Sequence, residues 1–160
     1  MGANIKIFNK KIRAGEIVGD INVKSSELNG CELDKEMARL MIDEFPILSI
    51  AASQANSPSH FKGLDELRVK ESDRLELIQH NLNKCGCDSE IKDNDLFINP
   101  DRNKEILNPE IRTDFDHRIA MSFAVLGSKI GKLHINESES ISTSFPTFQD
   151  QFNKAGGNLI

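Results

Sequence analysis

The residues best suited to chemistry lie between Arg68 and Arg74, where the sequence RVKESDR holds three cations and two carboxylates. An apolar pattern with helical spacing follows and predicts a helix that begins near Glu71 or Ser72, with Ser72 as its N-cap. A helix N-terminus attracts anions, and Lys70 and Arg74 would add positive charge there. Among these cations, the carboxyl group of Glu71 is suited to proton transfer. The alternative is a surface helix start with ion pairs inside the chain.

Two other predicted helices also begin at ionisable residues. Asp43 is the predicted N-cap of a buried apolar helix, and Asp116 is the predicted N-cap of a second one, with His117 and Arg118 in its first turn. Taken singly, Asp43 fits a plain cap, and His117 and Arg118 fit surface residues. Three such helix starts in one short chain favour a site that binds an anion and shifts pKa values.

Length and composition limit the classes of function. The chain has 160 residues, 38% apolar and 28% charged, as in one ordinary globular domain or two small units. Its net charge of −5 argues against a nucleic-acid or membrane-surface role, and the absence of Trp and Tyr leaves few platforms for stacking bases. No apolar run approaches transmembrane length and no signal-peptide core is present, so we expect a soluble, cytoplasmic protein.

The cysteines predict free thiols rather than a metal site. Cys85 and Cys87 form a C-x-C pair, no histidine pair accompanies them at ligand spacing, and Cys31 is left over. We therefore expect no bound metal and a reducing compartment.

The order of elements predicts a two-layer α+β fold. Residues 1–30 fit a two-stranded hairpin, with turn signals at Ala14-Gly15 and Gly19-Asp20. Over 31–104 the order is strand, helix, strand, helix, strand, strand, a βαβαββ unit, and residues 105–160 form an incomplete βαβα unit. The chain thus holds about one and a half repeated units after a leading hairpin.

Several segments carry local predictions. A hairpin is predicted to turn at Asp93-Asn94-Asp95. Residues 100–113 and 138–144 are predicted loops, the latter rich in hydroxyl groups. A last helix is predicted over 145–154, and Asn158–Ile160 are predicted to begin a strand.

The three helix starts belong to longer motifs that resemble one enzyme family. The motifs are IDEFPIL at 42–48, ELRVKESDRL at 66–75, DHRIAMS at 116–122 and TSFP at 143–146. In this order they closely resemble 5-enolpyruvylshikimate-3-phosphate synthases, over essentially the whole chain but only the C-terminal part of such an enzyme. The resemblance implies that residues 1–30 complete a missing preceding unit and that all parts form one C-terminal globular domain.

The resemblance also implies a reaction of the shikimate pathway of aromatic amino-acid biosynthesis. The enolpyruvyl group of phosphoenolpyruvate passes to the 5-hydroxyl of shikimate 3-phosphate, phosphate is released, and no metal or organic cofactor is used. Asp43 would take the proton from the 5-hydroxyl, and Glu71 would deliver and later remove a proton at the methylene carbon. Lys70 would bridge the two substrates and share in proton transfer. Arg74 and Arg118 would grip the carboxylate or phosphate of phosphoenolpyruvate.

Three further implications concern the site and its partners. His117 would lie beside the arginines and support the leaving phosphate. The missing N-terminal domain of the enzyme would be the partner that completes the site, so we expect the chain alone to be inactive. The strand predicted at Asn158–Ile160 would leave an unpaired edge, through which the chain is open to self-association.

Two other interpretations remain at this stage. UDP-N-acetylglucosamine enolpyruvyl transferase has the same fold but lacks this combination of RVKESDR and DHR motifs. A non-catalytic module that binds small anions would need the cations, but it would not need Asp43 and Glu71.

Overall fold

The computed structural model describes residues 1–101 and 108–160. The strands are β1 (Asn4–Arg13), β2 (Glu16–Lys24), β3 (Glu32–Leu33), β4 (Ser59–Phe61), β5 (Asp88–Lys92), β6 (Asp95–Asn99), β7 (Glu110–Ile111) and β8 (His134–Ile135). The α-helices are α1 (Lys35–Leu40), α2 (Phe45–Ser53), α3 (Arg74–Lys84), α4 (His117–Ile130), α5 (Ile141–Ser144) and α6 (Phe148–Lys154). Helices and mixed sheets together confirm the predicted α+β class.

A four-stranded sheet in the order β3-β4-β6-β5 organises residues 31–101. Strand β3 pairs with β4 in parallel, and β6 pairs antiparallel with both β4 and β5. The turn at Asp93 and Asn94 is confirmed: both residues have positive φ, as a tight hairpin turn requires. The sequence analysis missed α1, a six-residue helix whose N-cap Asp34 accepts a hydrogen bond from the Met37 amide at 2.8 Å.

Helices α2 and α3 pack on this sheet, and α4 packs on both of them, so that one core runs through residues 31–101 and into α4. Its largest fully buried apolar side chains are Phe45, Phe61, Leu64, Leu67, Leu75, Leu77, Ile78, Leu82, Leu96, Ile98 and Phe123. Phe45 of α2 meets Phe61 of β4 edge to face, with ring centroids 5.3 Å apart. Because α2 and α4 pack together, the first turn of α4 lies beside the turn that precedes α2.

The hairpin of β1 and β2 contributes no residue to this core: every one of its strand residues is exposed. Its pairing confirms the turn at Ala14-Gly15. The second turn signal was wrong: Gly19-Asp20 lie within β2, opposite an irregularity between Phe8 and Lys11. One face of the hairpin is apolar, and the register places on it Ile5, Ile7, Ile12, Ile17, Ile21 and Val23.

Three local predictions for the C-terminal part need correction. The predicted loop 138–144 is helical, with a 3-10 turn at Ser138–Ser140 followed by α5. The predicted loop 100–113 contains β7, which pairs with β8, and residues 102–107 lie outside the described residues, as does the predicted unit boundary at 104–105. Asn158–Ile160 form no strand, because Leu159 exchanges two hydrogen bonds with the Asn153 side chain.

The last predicted helix is confirmed as α6, although it begins at Phe148 rather than at Phe145. Over the described ranges, no helix combines the length and apolar character needed to cross a membrane.

Candidate active site

Arg74 lies at the centre of the candidate site. It is the first residue of α3 and is only 1% exposed, yet its guanidinium meets three carboxylates. Its Nε lies 2.7 Å from Asp116 Oδ2, its Nη1 lies 3.0 Å from Asp43 Oδ1, and its Nη2 lies 2.5 Å from Glu71 Oε2. These three contacts join segments that are far apart in the sequence at a single cation.

The start of α3 differs from the prediction. The helix begins at Arg74, and Asp73 rather than Ser72 is the N-cap, with its carboxylate accepting the Glu76 amide at 2.9 Å. The Ser72 hydroxyl is engaged elsewhere, because it donates to Asp116 Oδ2 at 2.9 Å. A local capping rule therefore placed the helix start too early, since it does not account for a bond to a distant residue.

Asp43 is not the N-cap of α2. A 3-10 turn at Ile42–Glu44 precedes that helix, and its cap position is held by Glu44, without a side-chain bond. The carboxylate of Asp43 is thereby free to face the cations, with Lys70 Nζ 3.4 Å and Arg74 Nη1 3.0 Å from Oδ1. Partial burial raises the pKa of Asp43, but Lys70, Arg118 and Arg74 outweigh it and hold the pKa below its usual value.

Asp116 is the predicted N-cap of α4, and this prediction is confirmed. Its Oδ1 accepts the amides of Arg118 at 2.9 Å and Ile119 at 3.3 Å. The residue is fully buried, which raises its pKa, but the bonds and charge of Arg74, with the Ser72 hydroxyl and the Ile119 amide, lower the pKa below its usual value. The sequence analysis missed its ion pair with Arg74, because only tertiary packing brings residues 42 positions apart together.

Arg118 extends from the first turn of α4 to the turn before α2. Its Nη1 donates to the Asp43 carbonyl oxygen at 2.8 Å and to Glu44 Oε1 at 3.2 Å. Sequence reasoning also missed Glu44, whose only signal was its place next to Asp43. His117 is half-exposed in the same turn, and within residues 1–101 and 108–160 no hydrogen bond or ion pair engages its side chain.

The structure thus brings together five of the six candidate residues in one network: Asp43, Lys70, Glu71, Arg74 and Arg118. His117 lies next to this network without joining it. A cavity of about 230 Å³ adjoins the network, with Asp43 and Arg118 at its polar end. Its remaining lining residues are Glu44, Pro46, Ile47, Met121, Ser122, Val125 and Phe148.

Each cation of the network is paired with a carboxylate, so the site is a closed set of internal ion pairs. Asp43 and Glu71 are 46% and 54% exposed, and they cover the two Nη atoms of Arg74 from the solvent side. An anionic ligand would replace these carboxylates on a guanidinium that Asp116 holds from behind. In the described part of the chain, no cluster of three His, Cys, Asp or Glu residues is arranged to hold a metal ion.

The lowered carboxyl pKa values predict that acid destabilises the fold. The pKa of Asp116 and of Asp43 is lower in the folded chain than in the unfolded chain, so the unfolded chain binds more protons in acid. The free energy of unfolding should be largest above about pH 5 and should fall as pH drops through the lowered pKa values. Urea denaturation across this range measures it. Asp116→Asn should flatten the profile, and an unfolding free energy that is constant down to about pH 3 would contradict the prediction.

The residues of this network lie in a part of the chain that matches a known protein family. The family model described as EPSP synthase (3-phosphoshikimate 1-carboxyvinyltransferase) matches residues 1–152, which include every residue of this network. The chain belongs to the EPSP synthase family. This confirms the resemblance carried by the four motifs.

Individual relatives and solved structures support the same assignment to the EPSP synthase family. The 3-phosphoshikimate 1-carboxyvinyltransferases of Paramagnetospirillum magneticum and Gluconobacter oxydans are 41% and 40% identical to this chain, in alignments 160 positions long that cover 99% of it. An EPSP synthase structure from Acinetobacter baumannii superimposes with a TM-score of 0.89 and 37% identity over 97% of the chain. In each comparison the chain spans 36% of the relative's length.

Proposed function

We propose that this chain supplies part of the active site of an EPSP synthase, which transfers the enolpyruvyl group of phosphoenolpyruvate to the 5-hydroxyl of shikimate 3-phosphate. The products would be 5-enolpyruvylshikimate 3-phosphate and phosphate. The observation that carries the proposal is the convergence of Asp43, Lys70, Glu71, Arg74 and Arg118 in a chain of this family. An anion site alone would explain the cations, whereas the two carboxylates suit proton transfer.

The two half-exposed carboxylates are the proposed acid–base groups. Asp43 has a lowered pKa and is therefore ionised at neutral pH, so that it can accept the proton of the 5-hydroxyl as that oxygen attacks. Glu71 would give a proton to the methylene carbon and take one back when phosphate leaves. Lys70, 3.4 Å from Asp43, would bridge the two substrates and share in proton transfer.

The two arginines are the proposed anion ligands. Arg74 and Arg118 would bind the carboxylate or phosphate of phosphoenolpyruvate, because a guanidinium fork matches either group with two parallel hydrogen bonds. His117, on the same turn as Arg118 and without an internal partner in the described ranges, would support the leaving phosphate. Fixed cations at this place would stabilise the charge that develops on phosphate as it leaves.

We also propose that the chain needs the N-terminal part of such an enzyme. Residues 1–30 would complete a preceding unit, 31–104 would form a βαβαββ unit, and 105–160 would form an incomplete final unit of the same globular domain. The exposed apolar face of the β1–β2 hairpin supports this arrangement, because six aliphatic side chains on one face are costly to leave in water.

The test is phosphate release from phosphoenolpyruvate and shikimate 3-phosphate. We expect none from this chain alone and turnover when it is mixed with a separately made N-terminal part of an EPSP synthase. If the mixture releases no phosphate although circular dichroism shows that the chain is folded, the proposal is overturned. That result would favour a non-catalytic module that binds small anions.

Two hairpin variants act as a matched pair in this mixture. Ile21 lies on the apolar face and Asn22 on the opposite face, so the same substitution by Glu tests the two faces separately. We expect Ile21→Glu to raise the concentration of chain needed for half-maximal turnover about tenfold, because a buried aliphatic side chain contributes about 1.5–3 kcal/mol. Asn22→Glu should have little effect; equal effects of both variants would contradict this assignment.

Self-association and location are two finer proposals. The hairpin has free strand edges, and the chain could pair through them with a second copy, which sedimentation velocity would detect as a dimer. A cytoplasmic location fits the cysteines, since Cys31, Cys85 and Cys87 are thiols rather than halves of disulfides. Burial raises the pKa of the Cys85 thiol to about 12, which keeps it protonated and unreactive.

A further inference from the structure

Asp116 makes more bonds to the candidate active site than any sequence rule indicated. Its Oδ2 accepts from Arg74 Nε at 2.7 Å and from the Ser72 hydroxyl at 2.9 Å. Its Oδ1 accepts from Arg74 Nη2 at 3.4 Å and from the amides of Arg118 and Ile119. One buried carboxylate therefore holds the RVKESDR segment, the guanidinium of Arg74 and the first turn of α4.

The contact with Arg74 fixes which way its guanidinium faces. Asp116 takes the edge formed by Nε and Nη2, which leaves Nη1 and the second N–H of Nη2 directed at Asp43 and Glu71. These are the donors that an anionic ligand would use. At the same time Asp116 holds the backbone of Arg118, whose side chain contacts the Asp43 carbonyl oxygen. Asp116 thus contacts the guanidinium of one arginine and the backbone amide of the other.

We propose that Asp116 is a positioning residue for the phosphoenolpyruvate subsite: it orients Arg74 and Arg118 so that both guanidinium groups bind the same anion. The inference rests on the proposed function, which assigns the two arginines to this substrate. Asp116 itself, fully buried behind Arg74, does not touch the substrate.

The variant Asp116→Asn separates positioning from folding. Asparagine is as good an N-cap as aspartate and has nearly the same volume, so α4 should keep its start. What disappears is the charge that holds the Nε edge of Arg74, leaving Asp43 and Glu71 as its charged partners. Asp116→Ser is a second variant, because serine also caps a helix but is too short to reach Arg74.

Asp73→Asn is the matched control. Asp73 is also an N-cap and also pairs with an arginine, since its Oδ2 lies 2.8 Å from Arg68 Nη1. This pair is partly exposed, and the side chains of Asp73 and Arg68 bond to each other, to the Glu76 amide and to Asn94. The control therefore makes the same chemical change at a helix start of the same chain.

The first measurement uses this chain alone and needs no activity. In nitrogen-15 spectra, the buried Nε–H of Arg74 should exchange slowly with solvent in the original chain and in Asp73→Asn. In Asp116→Asn it should exchange about tenfold faster or more, because a charge-assisted hydrogen bond is lost. If Asp116→Asn does not fold, Asp116→Ser is measured in its place. Unchanged exchange in a folded variant would overturn the proposal.

The second measurement uses the mixture with the N-terminal part. For Asp116→Asn, kcat/KM for phosphoenolpyruvate should fall about tenfold or more, while kcat/KM for shikimate 3-phosphate falls less than about threefold. Equal losses for both substrates would mean general damage and would overturn the proposal. If the original mixture has no turnover, the proposed function fails, whereas the exchange measurement still decides whether Asp116 orients Arg74.

Discussion

Turnover by the mixture of this chain with an N-terminal part should fall about 10²–10⁴-fold when Glu71 is replaced by glutamine, the range typical of lost acid–base catalysis. Glutamine keeps the shape of the side chain and can still accept a hydrogen bond from Arg74, but it neither gives nor takes a proton. Steady-state phosphate release measures the loss. Glu66→Gln is the control, because Glu66 is exposed in the neighbouring 3-10 turn Asp65–Val69.

The same variant should keep its ligands. Glu71 Oε2 lies 2.5 Å from Arg74 Nη2, so it competes with any anion for that donor. A neutral glutamine competes less, so binding of phosphoenolpyruvate, measured by calorimetry, should be unchanged or tighter. This combination separates an enzyme from a module that only binds anions. A change in turnover of less than about twofold would contradict the assignment of Glu71 as an acid–base group.

Sequence reasoning was most successful where the determinants are local. Asp116 was predicted as the cap of α4, because its side chain bonds amides only two and three residues away. The tight turn at Asp93 and Asn94 was predicted as well, because these residue types tolerate the positive φ that such a turn requires. The motifs around Asp43 and Arg74 also identified the residues that meet in the site, although through resemblance rather than through geometry.

The errors lie where distant residues compete with local rules. Ser72 was predicted as a cap, but its hydroxyl bonds to Asp116, 44 residues away. Asp43 was predicted as a cap, but a 3-10 turn leaves its carboxylate to the cations of another segment. Ser72 donates to the buried carboxylate of Asp116, and Asp43 pairs with the buried guanidinium of Arg74. In both cases satisfying a buried charged group outweighs a single capping bond. The order of elements indicates that these segments are near each other, but it does not give the pairing.

Arg74→Met should lower the free energy of unfolding of this chain by about 3–5 kcal/mol, the cost typical of breaking a buried ion pair on one side. Methionine fills much of the space, so the loss is electrostatic: Asp116, fully buried, would keep its charge without a cation. Urea denaturation at neutral pH measures it. Arg68→Met is the control, and its exposed pair with Asp73 predicts a loss of less than about 1 kcal/mol.

The pH dependence of the stability of Arg74→Met should show whether the unpaired charge of Asp116 causes this loss. Without the cation, burial would raise the pKa of Asp116 in the folded chain above its unfolded value, so protonation would stabilise the fold. The variant should therefore gain stability relative to the original chain as pH falls, opposite to the acid sensitivity expected of the original chain. Adding Asp116→Asn to Arg74→Met removes the unpaired charge and keeps the helix cap, so the double variant should be more stable than Arg74→Met alone. A double variant with the summed losses of the two single variants would show instead that Arg74 and Asp116 act independently.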